Sequence, residues 1–136
     1  MPVAVTLLYA SLLALLLLLL SWQVVVQRRR FKVGVGTGGQ EPLELAVRAH
    51  ANFTEYVPLA LLMLLVLELG AGVPVWLLHL LGVMLVVGRA MHGLLGLNRG
   101  AGASPGRFYG TLLTWLMLLM SAVAGLIVVA SGWLAG

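Results

Sequence analysis

One short segment, "RAHANFTEYVP" at residues 48–58, concentrates polar side chains in a chain that is 62% hydrophobic. On a helix, residues three or four positions apart share a face. That spacing places Glu44, Arg48, Asn52, Glu55 and Tyr56 on one stripe. A guanidinium binds carboxylates with two hydrogen bonds, whereas a protein carboxylate binds an ammonium group. The stripe therefore predicts a binding site for a small zwitterion that carries additional carboxylates.

The composition indicates that the elements holding this stripe lie in a membrane. Only 9% of the 136 residues are charged, whereas a soluble domain carries roughly 25%, and a chain of this length cannot bury so much apolar surface in a core of its own. The absence of cysteine excludes a disulfide framework, a zinc–thiolate site and a cysteine nucleophile. The surplus of Lys and Arg lies at the ends of apolar runs, which favours membrane orientation over nucleic-acid binding.

Four apolar runs, at about residues 3–26, 43–69, 75–97 and 108–134, are each long enough to cross a hydrocarbon core of roughly 30 Å. They are long, rich in Leu and not alternating, which favours helices over strands. The first run has no preceding positive charge and is followed by "QRRRFK", so a span is favoured over a cleaved signal peptide. The predicted fold is all-α: a single four-helix transmembrane domain over residues 1–136.

The basic residues next to these runs predict the orientation of the chain. Four follow the first run and two lie at the third loop: Arg28, Arg29, Arg30, Lys32, Arg99 and Arg107. The second loop and both termini carry no basic side chain. The positive-inside rule therefore predicts that loops one and three are cytoplasmic and that both termini lie outside.

With this topology, further polar residues lie at the same membrane depth as the stripe. Arg89 and His92 lie near the cytoplasmic end of the third run, and Arg107 and Tyr109 lie at the start of the fourth. Charged groups within a membrane normally face the protein interior or a water-filled cavity. We therefore predict a basic pocket that opens to the cytoplasm and is formed by several helices.

Purely structural interpretations of the same residues stay open. Arg48 can pair with Glu44 or Glu55 and so fix helix packing, and Asn52 can form an interhelical hydrogen bond. The structural interpretation applies to Arg89 as well, and the run Arg28–Arg30 can act as an orientation signal that also contacts anionic lipid.

Two polar residues outside the stripe are interpreted as structural. His79 is interpreted as a hydrogen-bonded packing residue, and Glu68 is expected to reach the outer membrane interface. The three histidines lack ligand spacing relative to one another, so no metal site is predicted.

The segment "RAHANFTEYVPL" also resembles the second-helix motif of the membrane-associated proteins in eicosanoid and glutathione metabolism, the MAPEG family. That motif reads Arg-x-x-x-Asn-x-x-Glu-Tyr-x-Pro, and it is matched by Arg48, Asn52, Glu55, Tyr56 and Pro58. The four-span layout, the basic end of the first span and the chain length are also similar. The chain looks like a bacterial-type member related to the microsomal glutathione transferases.

The resemblance implies a homotrimer that binds glutathione between neighbouring subunits at the cytoplasmic side. The catalytic arginine of the family lies at the start of the fourth helix. The segment "SPGRFYGTLLT" resembles that region and makes Arg107 the matching residue. His92 and Gly96 stand where several eicosanoid-forming members carry tyrosines. The residues that the resemblance and the pocket together assign to glutathione binding are Arg30, Arg48, Asn52, Glu55, Tyr56, Arg89 and His92.

The implied function is a membrane glutathione transferase, with peroxidase activity as an extension. A guanidinium near the glutathione sulfur would favour the thiolate and lower the pKa of the thiol. The thiolate would then attack a lipophilic electrophile or a lipid hydroperoxide that enters from the membrane. A non-catalytic lipid-binding scaffold and a small transporter subunit are the alternatives, and neither a metal nor a nucleic acid is expected as a partner.

Overall fold

The apolar runs fold into helices in the computed structural model, which describes residues 2–70, 72–96, 102 and 104–135. The helices are α1 (Ala4–Phe31), α2 (Glu41–Gly70), α3 (Val75–Ala90) and α4 (Pro105–Ala135), and a π-helical segment, Met91–Gly96, continues α3. With that segment counted in α3, each helix is long and apolar enough to cross a membrane. The prediction of an all-α fold with four spans is confirmed.

Two helices extend further into the first loop than the apolar runs indicated. α1 continues to Phe31 because arginine is a good helix former and does not need to stay in the hydrocarbon. The helix ends where Lys32 takes a left-handed conformation, φ 55°, and the N–H of Val33 donates to the carbonyl of Arg28 at 3.1 Å, as in a Schellman ending. α2 begins at Glu41, and its proline in the first turn needs no helical N–H partner.

The end of the third span differs from the prediction of one continuous helix to residue 97. Residues Met91–Gly96 form a π-helix, in which the backbone is wider than in an α-helix. Gly93 and Gly96 lie in this segment, and glycine has little preference for the α-helical conformation. Residue 97, Arg99 and most of the predicted third loop lie outside the described residues.

The core consists of apolar side chains from all four helices, and the outward faces are apolar too. Leu20, Leu64, Leu85 and Met117 are among the fully buried side chains, one from each helix. Trp115 and other large apolar residues are exposed on the outside. Apolar surface on both sides of a helix is typical of a membrane span.

The two ends of the bundle differ in charge. The basic end carries Arg28–Arg30 and the start of α4, and the opposite end carries the start of α1 and the end of α2. At the opposite end the carboxylate of Glu68 accepts hydrogen bonds from the backbone N–H groups of Val5, at 2.8 Å, and Thr6, at 2.7 Å. The first N–H groups of a helix have no helical partner and favour a negative charge. The side chain of Glu68 therefore caps α1, and its location at the membrane interface stays a prediction.

A second polar contact links α1 and α3 at the opposite end. The hydroxyl of Tyr9 lies 3.0 Å from Nδ1 of His79, and the two rings meet edge to face with centroids 5.7 Å apart. Gly82 makes room for this arrangement, since a Cβ atom there would overlap the ring of Tyr9. The interpretation of His79 as a hydrogen-bonded packing residue is confirmed.

Candidate functional site

The α2 stripe lies on the surface of the subunit at one edge and packs into it at the other. Arg48 and Glu55 are exposed, whereas Asn52 and Tyr56 are half-buried. In the part of the chain that the structure describes, no hydrogen bond or ion pair links Arg48 to Glu44 or Glu55. The stripe therefore offers charged groups outward and a polar amide and phenol towards the other helices.

Arg89 is the buried residue that connects α2, α3 and α4. Its side chain is 2% exposed. The guanidinium donates from Nε to Oγ1 of Thr114 at 2.9 Å, from one terminal nitrogen to Oδ1 of Asn52 at 2.6 Å, and from the other to the carbonyl of Gly110 at 3.3 Å. None of these three partners is a carboxylate, so the buried positive charge is balanced only by neutral oxygen atoms. The potential near this end of the bundle is consequently positive.

Glycine residues let α4 approach α3 closely enough for these bonds. A Cβ atom at Gly110 would lie 2.6 Å from both the carbonyl oxygen of Gly88 and the backbone nitrogen of His92. A Cβ atom at Gly96 would lie 2.5 Å from Cγ of Arg107. Small residues at such crossings are typical of helix pairs in membranes. They bring the start of α4 against the π-helical segment and thereby place Arg107 beside His92.

A cavity of about 600 Å³ lies at this junction. Arg107 lines it, and the N–H of Arg107 donates to Oγ of Ser104 at 3.2 Å, which fixes the first turn of α4. The guanidinium donates to the carbonyl of Gly102 at 3.0 Å. The buried side chain of His92 also lines the cavity. The complete lining is His92, Ser104, Arg107, Phe108, Thr111, Leu112 and Trp115.

Trp115 joins this cavity to the α2 stripe. Its indole Nε1 donates to the hydroxyl oxygen of Tyr56 at 3.2 Å, and the guanidinium of Arg89 lies 5.1 Å from the centre of the Tyr56 ring. The cavity lined by Arg107 therefore lies next to the motif of α2, with Trp115 in contact with both. The cavity lining combines basic and polar side chains with aromatic and apolar ones.

The arginines at the end of α1 differ from one another. Arg28 donates from one terminal nitrogen to the carbonyls of Gly34, at 3.1 Å, and Gly36, at 3.0 Å, so this residue organises the first loop. Arg30 is exposed, and its guanidinium lies 5.4 Å from the centre of the Phe31 ring. That contact lies at the exposed surface of the subunit.

The structure therefore brings together only some of the residues that the sequence assigned to a site. Asn52, Tyr56 and Arg89 are in contact, and Arg107 and His92 share the adjacent cavity. The other assigned residues, Arg30, Arg48 and Glu55, are exposed on the surface of the subunit.

Sequence reasoning missed Thr114 and Trp115. A signal for Trp115 was present, because Arg107, Thr111 and Trp115 recur at four-residue spacing and share a helix face. No such pattern identifies Thr114, whose role depends on how α3 and α4 cross. Among the residues that the structure describes, no group of three His, Asp or Glu side chains is suited to hold a metal ion.

Comparisons with known proteins agree with this architecture. Residues 6–127 match the MAPEG family. The chain is 38% identical over 122 residues to the inner membrane protein YecN of Escherichia coli strain K12, and equally to YecN of E. coli O6:H1 strain CFT073, with 90% of each chain covered. No solved structure is significantly similar to the chain. Because the family match covers residues 6–127 and the relatives align with 90% of the chain, this chain is an integral multi-pass membrane protein that belongs to the MAPEG family.

Proposed function

We propose that the protein is a membrane glutathione transferase that also reduces lipid hydroperoxides. The observation that carries this proposal is the hydrogen bond between Trp115 and Tyr56. That bond places the Arg107 cavity directly beside the family motif of α2. Membership of a family that includes glutathione transferases supports the choice of ligand.

The polar groups of the site complement glutathione in charge and in hydrogen bonding. Glutathione has two carboxylates, two peptide carbonyls and one ammonium group. Arg48 provides a bidentate donor for a carboxylate, and Glu55 provides a carboxylate for the ammonium group. Asn52 and Tyr56 add neutral hydrogen bonds between these two charged groups.

Arg107 would act on the sulfur. A guanidinium beside the thiol favours the thiolate, which is the nucleophile, and the thiol proton passes to water. In the transferase reaction the sulfur forms a bond to an electrophilic carbon, and the leaving group departs with its electron pair. In the peroxidase reaction two glutathione molecules reduce one hydroperoxide to an alcohol and water, and they form one glutathione disulfide.

The second substrate would enter from the membrane and contact the apolar side chains of the cavity. Phe108, Leu112 and Trp115 line the cavity and are exposed at the surface of α4. Apolar side chains at such a surface bind lipophilic molecules by removing their apolar area from water. This placement fits an electrophile or hydroperoxide that dissolves in lipid.

The exposed charges on α2 support the proposal that a second subunit completes the site. Measured from the opposite end of α2, Glu55 lies about 22 Å along the helix axis, within a hydrocarbon core of roughly 30 Å. A carboxylate exposed to lipid at that depth is costly. In a homotrimer, an adjacent copy would cover this face and bring its Arg30 to the same end of the membrane.

A conjugation assay tests the proposal. Purified protein in detergent, given glutathione and an electrophilic aromatic compound, is expected to form the conjugate, and with a lipid hydroperoxide it is expected to form glutathione disulfide. Glutathione binding without either product would instead indicate a non-catalytic, lipid-binding member of the family. Failure to bind glutathione would overturn the proposal.

Co-expression tests whether neighbouring copies share a site. Arg30→Ala and Arg48→Ala are each expected to be strongly impaired, and mixed trimers of the two are expected to regain activity because some boundaries keep both arginines. The matched control mixes Arg48→Ala with Glu55→Ala, which alter the same helix, so no boundary regains both residues. A shared site is ruled out if proven Arg30→Ala/Arg48→Ala mixtures stay as inactive as this control.

The proposal also includes the orientation of the chain in the membrane. Loops one and three face the cytoplasm, and the site opens there. A cysteine replacing Val35, which is 93% exposed in the first loop, is expected to be protected in intact cells from an impermeant thiol reagent. A cysteine replacing Gly70, where an added Cβ meets open space, is expected to react, and the reverse pattern would invert the topology.

A further inference from the structure

Two of the site's own side chains, Arg89 and Trp115, contact the motif of α2 from the protein side. Arg89 donates to Oδ1 of Asn52 at 2.6 Å, and the indole N–H of Trp115 donates to the hydroxyl oxygen of Tyr56 at 3.2 Å. Asn52 and Tyr56 are four positions apart, so they lie one above the other on α2. The two contacts therefore support consecutive turns of the same face.

These contacts determine whether each motif residue can still donate or accept a hydrogen bond. A guanidinium and an indole N–H can only donate, so the amide of Asn52 must offer its oxygen to Arg89 and Tyr56 must accept from Trp115. What remains is the amide NH₂ of Asn52 and the O–H of Tyr56, both of which are donors. Among the described residues, neither group donates to a further protein atom.

We propose that Arg89 and Trp115 are positioning residues that fix Asn52 and Tyr56 as a pair of hydrogen-bond donors for the ligand. This inference rests on the proposed function, and it narrows the ligand groups that α2 accepts at these two turns. Carboxylate and carbonyl oxygens satisfy two adjacent donors, whereas an ammonium or a hydroxyl hydrogen does not. Glu55 is then the acceptor within the motif.

The buried charge of Arg89 strengthens this arrangement. Its three partners are neutral oxygens, and its guanidinium lies over the Tyr56 ring at 5.1 Å. Hydrogen bonds that share a group polarise one another, so an amide or hydroxyl that accepts from a cation or an indole donates more strongly at its other end. The ligand oxygen is thereby held without direct contact to Arg89.

The first test is Asn52→Asp, measured as the dissociation constant of glutathione by equilibrium dialysis of the full-length protein. The aspartate keeps an oxygen for Arg89, so the junction of α2, α3 and α4 retains its bond and the unfolding temperature is expected not to fall. The NH₂ donor of the amide is lost, and we expect glutathione to bind about tenfold more weakly or worse. Unchanged affinity in Asn52→Asp would overturn the inference.

The second test is a double-mutant cycle between Trp115→Phe and Tyr56→Phe. Trp115→Phe keeps an aromatic ring and removes the N–H, so glutathione affinity is expected to fall roughly twofold to twelvefold. In the Tyr56→Phe background the same change is expected to have no further effect, because there is no hydroxyl to orient. Trp22→Phe, at an exposed position on α1, is the control and is expected to bind as the unchanged protein does.

The outcomes separate this inference from the proposed function. If the unchanged protein binds no glutathione, the proposed function fails and the inference fails with it. If the unchanged protein binds but the effects of Trp115→Phe and Tyr56→Phe simply add, Trp115 acts independently of Tyr56, and only the inference is overturned. Loss of affinity in Asn52→Asp together with a non-additive cycle supports both.

Discussion

The two ends of the bundle both contain polar groups, and they satisfy them in different ways. At the opposite end, the carboxylate of Glu68 accepts two backbone hydrogen bonds from the start of α1, and Tyr9 bonds to His79. These contacts lie within one subunit. At the basic end, Arg89 is satisfied inside the subunit, but Arg48 and Glu55 are exposed and a cavity opens beside Arg107.

This difference separates polar residues that build the fold from polar residues that are available to bind. The charge of Glu68 meets the positive end of α1, so it needs nothing from outside. Exposed charges at membrane depth are costly unless another molecule covers them. Polarity within the membrane is therefore a weak indicator of function, and the better indicator is whether one subunit satisfies it.

The largest expected effect is a loss of catalysis at the basic end. Arg107→Ala is expected to lower turnover in the conjugation assay by roughly a hundredfold to a thousandfold, because a preorganised charge at a developing anion typically contributes about 2.7–4 kcal/mol. Glutathione affinity is expected to change far less, since Arg48 and Glu55 would provide the binding. The measurements are turnover at saturating glutathione and the dissociation constant.

Arg29→Ala is the matched control, because Arg29 is an exposed arginine at the same end of the bundle with no part in the proposed site. It is expected to retain turnover. Normal turnover in Arg107→Ala would show that the catalytic assignment is wrong, even if glutathione binds.

The next effect concerns the glycines that allow close helix contacts at each end. Gly110→Ala would place a Cβ 2.6 Å from backbone atoms of Gly88 and His92, and overpacking of this kind costs about 1–3 kcal/mol. Because the same contact positions His92 and Arg107, activity per folded molecule is expected to fall as well. Stability is measured by thermal unfolding in detergent, and activity by conjugation.

Two further glycine variants sharpen this comparison. Gly125→Ala, on the same helix, would meet only Cε of Met63 at 3.9 Å and is expected to be neutral. Gly82→Ala would overlap the ring of Tyr9, so it is expected to lower stability and to leave activity per folded molecule intact. Equal losses of activity in Gly82→Ala and Gly110→Ala would contradict the separation of the two ends.

The four spans were predictable because their signal is local. Long apolar runs specify helices by themselves, and the stripe of α2 follows from spacing along one helix. The π-helical segment was not predictable, because it lies where α4 packs closely against the third span at Gly96 and Gly110. The partners of Arg89 were missed for the same reason: Thr114 lies on another helix, and only the crossing of the helices brings its hydroxyl to the guanidinium.

Glu68, at the opposite end of the bundle, shows the same limit of prediction from sequence. A carboxylate near a predicted helix end is usually placed at the membrane interface, and nothing in the sequence around it points to α1. Its partners, Val5 and Thr6, contribute backbone N–H groups, which carry no sequence signal. Capping across helices therefore becomes visible only once the packing is known.

The third prediction tests that cap. Glu68→Gln keeps the shape of the side chain but turns one oxygen into an NH₂ group, which cannot accept from a backbone N–H. The loss of one charge-assisted bond is expected to destabilise the protein by about 2 kcal/mol, measured as a lower unfolding temperature. Glu41→Gln, an exposed carboxylate in the first turn of α2, is the control and is expected to change stability much less.

The smallest expected effect concerns the contact between Tyr9 and His79. Tyr9→Phe keeps the ring that packs on Gly82 and removes only the hydroxyl that lies 3.0 Å from His79. Hydrogen bonds between membrane helices contribute about 0.6 kcal/mol on average, so the unfolding midpoint in a denaturant titration is expected to fall slightly. Conjugation activity and glutathione affinity are expected to stay unchanged, because the contact lies at the end of the bundle away from Arg107. A tenfold loss of activity at unchanged stability would make the opposite end part of the site and would remove the distinction between the two ends.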